Sequence, residues 1–297
     1  MSRIKYLLGP MRIRFLALTP TSVFLGFAGA IWTSGRVDFW YLFLVLIGAL
    51  SAHISVNAFN EYYDFKSGLD LRTRRTPFSG GSGTLPQRPQ EAGLALATGL
   101  TAFCVTSLVG VFFLCVRGLL LLPLVVIGLV VVFTYTIWLT RRPLLCLIAP
   151  GLGFGQLMVM GTGFALTGGY SWTTFIASLI PFFLVSNLLL LNQFPDVDAD
   201  QTVGRRHFPI TVGKRNSALI YGTFLFSAYA SIAAGVWCTC LPRLSLIGLF
   251  SVIIAAPTFV GVARYAEDTE RLIAYMGMNV IIVLGTPVLV GIGFLLG

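Results

Sequence analysis

Apolar runs of bilayer-spanning length alternate along the chain with short polar and basic stretches. A helix needs about 20 residues to cross the hydrocarbon core. Runs of that size fall at residues 13–34, 39–60, 91–115, 118–139, 144–168, 172–194, 217–240, 244–263 and 273–296. The pattern predicts an all-α polytopic membrane protein with nine transmembrane helices. No polar stretch is long enough for a separate soluble domain, so residues 1–297 are expected to form a single domain. The fifth run is rich in glycine (Gly151, Gly153, Gly155, Gly161 and Gly163), which suits close helix packing.

The basic residues test this segmentation, because short cytoplasmic loops carry an excess of Lys and Arg. With the N-terminus inside, 17 of the 20 basic residues fall on inside segments, and only Arg36, Arg117 and Arg243 fall outside. Nine spans therefore put the N-terminus inside and the C-terminus outside. The leading MSRIKYLLGPMRIR is basic, but the apolar run after it exceeds signal-peptide length and lacks a small-residue cleavage pattern, so the first span is expected to be retained.

Composition agrees, with 56% hydrophobic residues, 10% charged and a mean hydropathy of +0.87. Ordinary soluble domains carry about 25% charged residues. The net charge of +9 follows from the cytoplasmic bias of a membrane protein and calls for no nucleic-acid partner. Five cysteines, an odd number in or beside apolar runs, argue against a disulfide framework.

The eleven acidic residues are unevenly placed: Glu61, Asp64 and Asp70 follow the second run, and Asp196, Asp198 and Asp200 follow the sixth. Carboxylates close to the hydrocarbon region are costly and mark function by default. The two clusters also match, because Asn60-x-x-x-Asp64 and Asn192-x-x-x-Asp196 share a spacing at an offset of 132 residues. The second and sixth runs cross in the same direction, so the match implies a parallel internal repeat around a central cavity.

A spacing of four puts Asn60 and Asp64 on one helical face, which His53, Asn57 and Glu61 extend inward. Mg²⁺ is usually held by one or two carboxylates together with waters and substrate phosphates. Two facing N-x-x-x-D clusters suit a pair of such ions. Each cluster has basic neighbours, Lys66, Arg72, Arg74 and Arg75 in one loop and Arg205, Arg206 and Lys214 in the other. Acid and base in one loop suggest metal plus phosphate oxygens, although each arginine also serves as a cytoplasmic anchor. The glycine-rich residues 78–84 read either as a backbone cradle for phosphate or as a flexible turn.

NAFNEYYDFKSGLD at 57–70, followed by NQFPDVDADQTVGRRH at 192–207, resembles the paired motifs of the UbiA superfamily of intramembrane prenyltransferases. The resemblance covers nearly the whole chain and implies nine helices with aspartate motifs after helices two and six. Within the superfamily, the 1,4-dihydroxy-2-naphthoate prenyltransferases of the menaquinone branch are most similar. The features that favour them are the gap from Asp64 to Asp70, the DFKSG stretch at 64–68, and GLGFGQLMVMGTG at 151–163 preceded by Tyr135-Thr136.

The resemblance implies that Asn60, Asp64 and Asp70 form a first Mg²⁺–diphosphate site and Asn192, Asp196 and Asp200 a second. Arg72, Arg205, Arg206 and Lys214 become candidate diphosphate contacts, and Asp64, Asp196 and Tyr135 the candidate catalytic residues, with Tyr135 near the reacting prenyl carbon. Glu61 stands where the family usually has Asp, and is carried as a further Mg²⁺ candidate. The implied partners are a polyprenyl diphosphate, an aromatic acceptor and the lipid bilayer, with the active site facing the cytoplasm at the cell membrane. Tyr135 and Phe133 would shield the allylic cation by cation–π contact. Competing readings are another acceptor (hydroxybenzoate, homogentisate, lipid-linked glycerol phosphate, chlorophyllide or haem) and a transporter, whose acids would sit near the bilayer midplane.

Overall fold

The computed structural model describes residues 8–297, so Arg3 and Lys5 of the N-terminal basic group lie outside the described residues. Among the described residues every regular element is helical. Eight helices are long and apolar enough to cross a membrane, and the protein is an integral membrane protein.

The first span runs Leu8–Ser34 and ends in α1 (Leu18–Ser34), which stops at Gly35 in a left-handed conformation (φ 72°). The others are α2 (Phe39–Lys66), α3 (Ala92–Arg117), α5 (Pro143–Thr167), α6 (Trp172–Asn192), α7 (Lys214–Trp237), α8 (Val252–Arg264, extended N-terminally by a 3₁₀ segment Arg243–Ser251) and α9 (Thr269–Leu296). Side-chain caps fix three of the starts: Asp38 accepts from Trp40 N at 2.7 Å, Ser171 from Thr174 N at 3.1 Å and Asp268 from Arg271 N at 3.1 Å. Each cap satisfies an amide that the first helical turn leaves unpaired.

The fourth expected run is shorter than its apolar length suggested. Helix α4 (Leu122–Thr134) and the 3₁₀ turn before it span only Leu119–Thr134. Beyond it the chain unwinds: Thr140 N donates to Tyr135 O at 3.1 Å, a wider turn than an α-helix closes. Helix α2 departs in the other direction, continuing to Lys66, past the expected end at residue 60. Glu61 and Asp64 therefore lie on the last turns of a helix, whereas Asp70 sits in the 3₁₀ turn Leu69–Leu71 that follows.

Helix α6 is the central pillar. Its Ile180, Leu184, Leu188 and Leu191 are buried and join Tyr221 of α7 and Met276 of α9 in one apolar cluster. Helix α3 lies along α2. Large apolar side chains such as Leu108, Trp172, Phe226 and Ile253 point outward, as lipid-facing surfaces do. Lipid is as apolar as leucine, so interhelix attraction comes from close packing. The glycines of α5 supply it: a Cβ on Gly155 would lie 2.5 Å from the Ser178 carbonyl oxygen, and one on Gly151 would collide with that of Phe182. Gly153 and Gly161, by contrast, face open space. Helix α5 also contains a π-helical stretch, Gly153–Met160, a distortion often found where a helix borders a functional site. Among the five cysteines only Cys146 is buried, and none forms a disulfide.

Candidate active site

A cavity of about 370 Å³ opens among α1, α2, α4, α5 and the loops after α2 and α6. One end is polar and holds residues of both acidic clusters: Asn60, Asp64 and Asp70 from the first, and Asn192, Asp196 and Asp200 from the second. The rest is walled by apolar side chains and small residues, among them Val45, Val109, Phe113, Leu124, Phe154 and Leu157.

The polar stripe expected on α2 is present. His53, Asn57, Asn60 and Asp64 all line the cavity. Its members are held from outside the helix: Thr19 Oγ1 lies 2.9 Å from His53 Nδ1, Asn57 Nδ2 donates to Met11 O at 3.1 Å, and Asn60 Nδ2 donates to Thr136 Oγ1 at 3.2 Å. Glu61 lies outside this lining. It is fully buried and receives Arg12 Nε at 2.8 Å, Ser82 N at 2.6 Å and Ser82 Oγ at 2.8 Å.

Arg205 joins the clusters. Its Nη2 pairs with Asp64 Oδ1 and its Nη1 donates to Asp200 Oδ1 at 2.9 Å. Asp200 Oδ2 also lies within hydrogen-bond distance, 2.9 Å, of His207 Nε2. Ser79 Oγ donates to Asp196 Oδ1 at 3.1 Å, tying the glycine-rich loop to the second cluster. Burial, reinforced by the charges of Glu61 and Asp64, pushes the Asp70 carboxyl up to about 7. Burial and the neighbouring Asp200 raise Asp196 to about 7 as well.

Asp70 Oδ2 and Asn192 Oδ1 are buried oxygens with no hydrogen-bond partner among the described residues, and both residues line the cavity. Unpaired oxygens facing carboxylates at a cavity mouth fit a hard divalent cation. Among the described residues no three His, Cys, Asp or Glu side chains form a ready-made cage.

Of the four basic residues expected at the diphosphate, only Arg205 lines the cavity. Arg72 and Arg206 are exposed, and Lys214 begins α7 outside the lining. Arg12 does line it, although its sequence context reads only as a cytoplasmic anchor. His207 is a second unforeseen member, with no local signal beyond its place at the end of the second motif. Tyr135 faces the cavity as expected. Phe133 does not: it is exposed and packs against Phe59 and Phe103, because the helical turn of α4 directs it away from Tyr135.

Two curated relatives are named 1,4-dihydroxy-2-naphthoate octaprenyltransferase. The Bacillus subtilis (strain 168) protein is 25% identical over 83% of this chain and 76% of its own length. The Escherichia coli (strain K12) protein is 27% identical over 89% of this chain and 85% of its own. Among solved structures, one described as a digeranylgeranylglyceryl phosphate synthase covers 100% of both chains at a TM-score of 0.68 and 16% identity. A UbiA homologue from Archaeoglobus fulgidus, bound to DMAPP and Mg²⁺, covers 96% of this chain and 98% of its own at a TM-score of 0.61 and 14% identity. The UbiA prenyltransferase family profile matches residues 20–281, and the chain is a prenyltransferase belonging to that family.

Proposed function

We propose that this enzyme transfers an isoprenyl chain from a polyprenyl diphosphate to 1,4-dihydroxy-2-naphthoate, a step of menaquinone biosynthesis, with Mg²⁺ at the two acidic clusters and the polar mouth facing the cytoplasm. The observation that carries the reading is the division of one cavity into a polar end holding both acidic clusters and an apolar remainder. An amphiphile with a diphosphate head and a hydrocarbon tail matches that division. A carrier needs its acids near the bilayer midplane, whereas these gather at one end.

The first site would be Asn60, Asp64 and Asp70, and the second Asn192, Asp196 and Asp200; Glu61 would stand behind the first. When bound, Mg²⁺ would neutralise charge developing on the departing diphosphate. Arg205 and Arg12, which both line the cavity, would add fixed positive charge there. The allylic C1–O bond breaks and its electron pair leaves with the diphosphate. The apolar wall would keep water from the resulting allylic cation, and Tyr135, which lines the cavity, would shield that cation with its ring. The acceptor ring carbon that bears the carboxylate would then bond to C1, and the ring would regain aromaticity as that carboxylate leaves as CO₂, its C–C bonding pair returning to the ring.

The naphthoate acceptor is supported by the two octaprenyltransferase relatives and by the sequence features of residues 64–70 and 151–163. A lipid glycerol phosphate acceptor is the second reading, favoured by a curated relative from Methanoculleus marisnigri named digeranylgeranylglyceryl phosphate synthase, 28% identical over 56% of this chain. Incubating membranes that contain the protein with each acceptor and several prenyl diphosphates, then identifying products by mass, separates the two. Prenylated naphthoquinol is the expected product; prenylated glycerol phosphate alone would overturn the acceptor assignment.

A further inference from the structure

We propose that Glu61 is a positioning residue. Its carboxylate latches a strap, residues 79–83, together with Arg12, over the polar mouth of the cavity, and does not ligate metal. The inference rests on the prenyl-transfer reading of that mouth.

Both carboxylate oxygens are already engaged. Oε1 accepts from Arg12 Nε at 2.8 Å and from Ser82 N at 2.6 Å, and Oε2 accepts from Ser82 Oγ at 2.8 Å. The side chain is fully buried and lies outside the cavity lining, whereas Asp64 and Asp70 belong to it. A buried carboxylate with a guanidinium on one oxygen and a backbone amide beside it has its charge compensated. Turning it towards a cation would leave Arg12 and Ser82 N unpaired in a buried site, each at substantial cost.

The strap reaches from one acidic cluster to the other. Ser82 anchors it on Glu61, and Ser79 Oγ anchors it on Asp196 Oδ1 at 3.1 Å. Between the anchors Gly80 and Gly81 adopt left-handed conformations (φ 83° and 71°) and line the cavity. Gly81 is pressed against two carboxylates: a Cβ there would lie 3.0 Å from Asp70 Oδ1 and 3.3 Å from Glu61 Oε1. The strap thus sets the position of Asp70, and Glu61 sets the strap. Chain length matters as well, because an aspartate at 61 would fall about one methylene short of Ser82 N.

The test uses the full-length protein in nanodiscs, with Glu61→Gln, Glu61→Asp, Ser82→Ala and Asp64→Asn. Amide hydrogen exchange over residues 78–85 reads the strap; Mn²⁺ binding in the presence of inorganic pyrophosphate, followed by electron paramagnetic resonance, reads the metal site. Neither depends on which acceptor is used, so absence of prenyl transfer would count against the proposed function and leave the latch result standing. Glu61→Gln and Glu61→Asp are expected to speed exchange at Ser82 by at least about fivefold, while Mn²⁺ affinity falls only about two- to threefold through the looser hold on Asp70. Ser82→Ala, which alters no carboxylate, is expected to speed exchange over the same residues, and covers the case in which a Glu61 variant fails to fold. Asp64→Asn is expected to weaken Mn²⁺ binding at least about tenfold with the strap still protected. A loss of Mn²⁺ affinity in Glu61→Gln as large as that in Asp64→Asn, or unchanged exchange at Ser82 in both Glu61→Gln and Ser82→Ala, would overturn the proposal.

Discussion

Arg205 pairs with Asp64 across 141 positions of sequence and, through its other terminal nitrogen, with Asp200 at 2.9 Å. One guanidinium thereby locks the end of α2 to the loop after α6. All three side chains are largely buried. Removing one member of such a group leaves charge without compensation, which costs about 3–5 kcal/mol. Arg205→Ala is therefore expected to lower the thermal midpoint strongly and to reduce prenyl transfer by more than about a hundredfold. Arg205→Lys keeps the charge but cannot bridge two carboxylates with a rigid fork, so it should recover part of the stability and little of the activity. Thermal unfolding and initial rates check both.

Asp70 and Asp196 impose a pH dependence on the metal-free protein. Their carboxyls are raised to about 7 in the folded state, against about 4 in an unfolded chain. Such groups add stability that is complete below about pH 4 and lost as pH rises towards 7. With chelator present, thermal stability is expected to fall from pH 5 to pH 8. A divalent cation with pyrophosphate should restore more stability at pH 8 than at pH 6, because the binding carboxylates must be ionised. A thermal-shift series with and without Mg²⁺ reads this directly.

The glycines of α5 divide into two groups with different outcomes. Gly155→Ala places a methyl group 2.5 Å from the Ser178 carbonyl and is expected to destabilise the protein by about 1–3 kcal/mol through overpacking. Gly161 faces the cavity with nothing within 4 Å. Gly161→Leu should leave stability nearly unchanged but reduce turnover of long prenyl diphosphates more than short ones. Rates with donors of increasing length, alongside thermal midpoints, separate the two effects.

Tyr135 offers its ring to the cavity at the unwound end of α4. If the ring shields the allylic cation, Tyr135→Phe retains most activity, whereas Tyr135→Ala loses about tenfold or more, as expected for about 1–2 kcal/mol of cation–π stabilisation. Comparing kcat for the two variants tests the ring apart from the hydroxyl.

Much of this was legible in the sequence, because hydropathy and loop charge are one-dimensional signals. Eight long spans, both Asn–Asp pairs and the cavity face of α2 follow from run length and a spacing of four. The helix-four boundary was not legible, because residues 135–139 are as apolar as a helix would be and only a turn hydrogen bond, Thr140 N to Tyr135 O, marks the break. Nor did sequence separate Arg205, which enters the cavity, from its exposed neighbour Arg206, since adjacent residues differ only in side-chain direction. Arg12 and Ser82 escaped notice because their partner, Glu61, is 49 and 21 positions away. Glu61 itself reads as a metal candidate by its place in the motif, and its actual contacts appear only when the strap is folded over it.

Both acidic clusters acting on one Mg²⁺–diphosphate is the claim on which everything else depends. It is tested most directly by following prenyl transfer to 1,4-dihydroxy-2-naphthoate in purified, reconstituted protein, with and without Mg²⁺, for the native chain, Asp64→Ala and Asp196→Ala. A prenylated product that appears only with Mg²⁺ and is lost in each single variant is the predicted result. Full activity in either variant, or product formation unaffected by chelation of Mg²⁺, would contradict it.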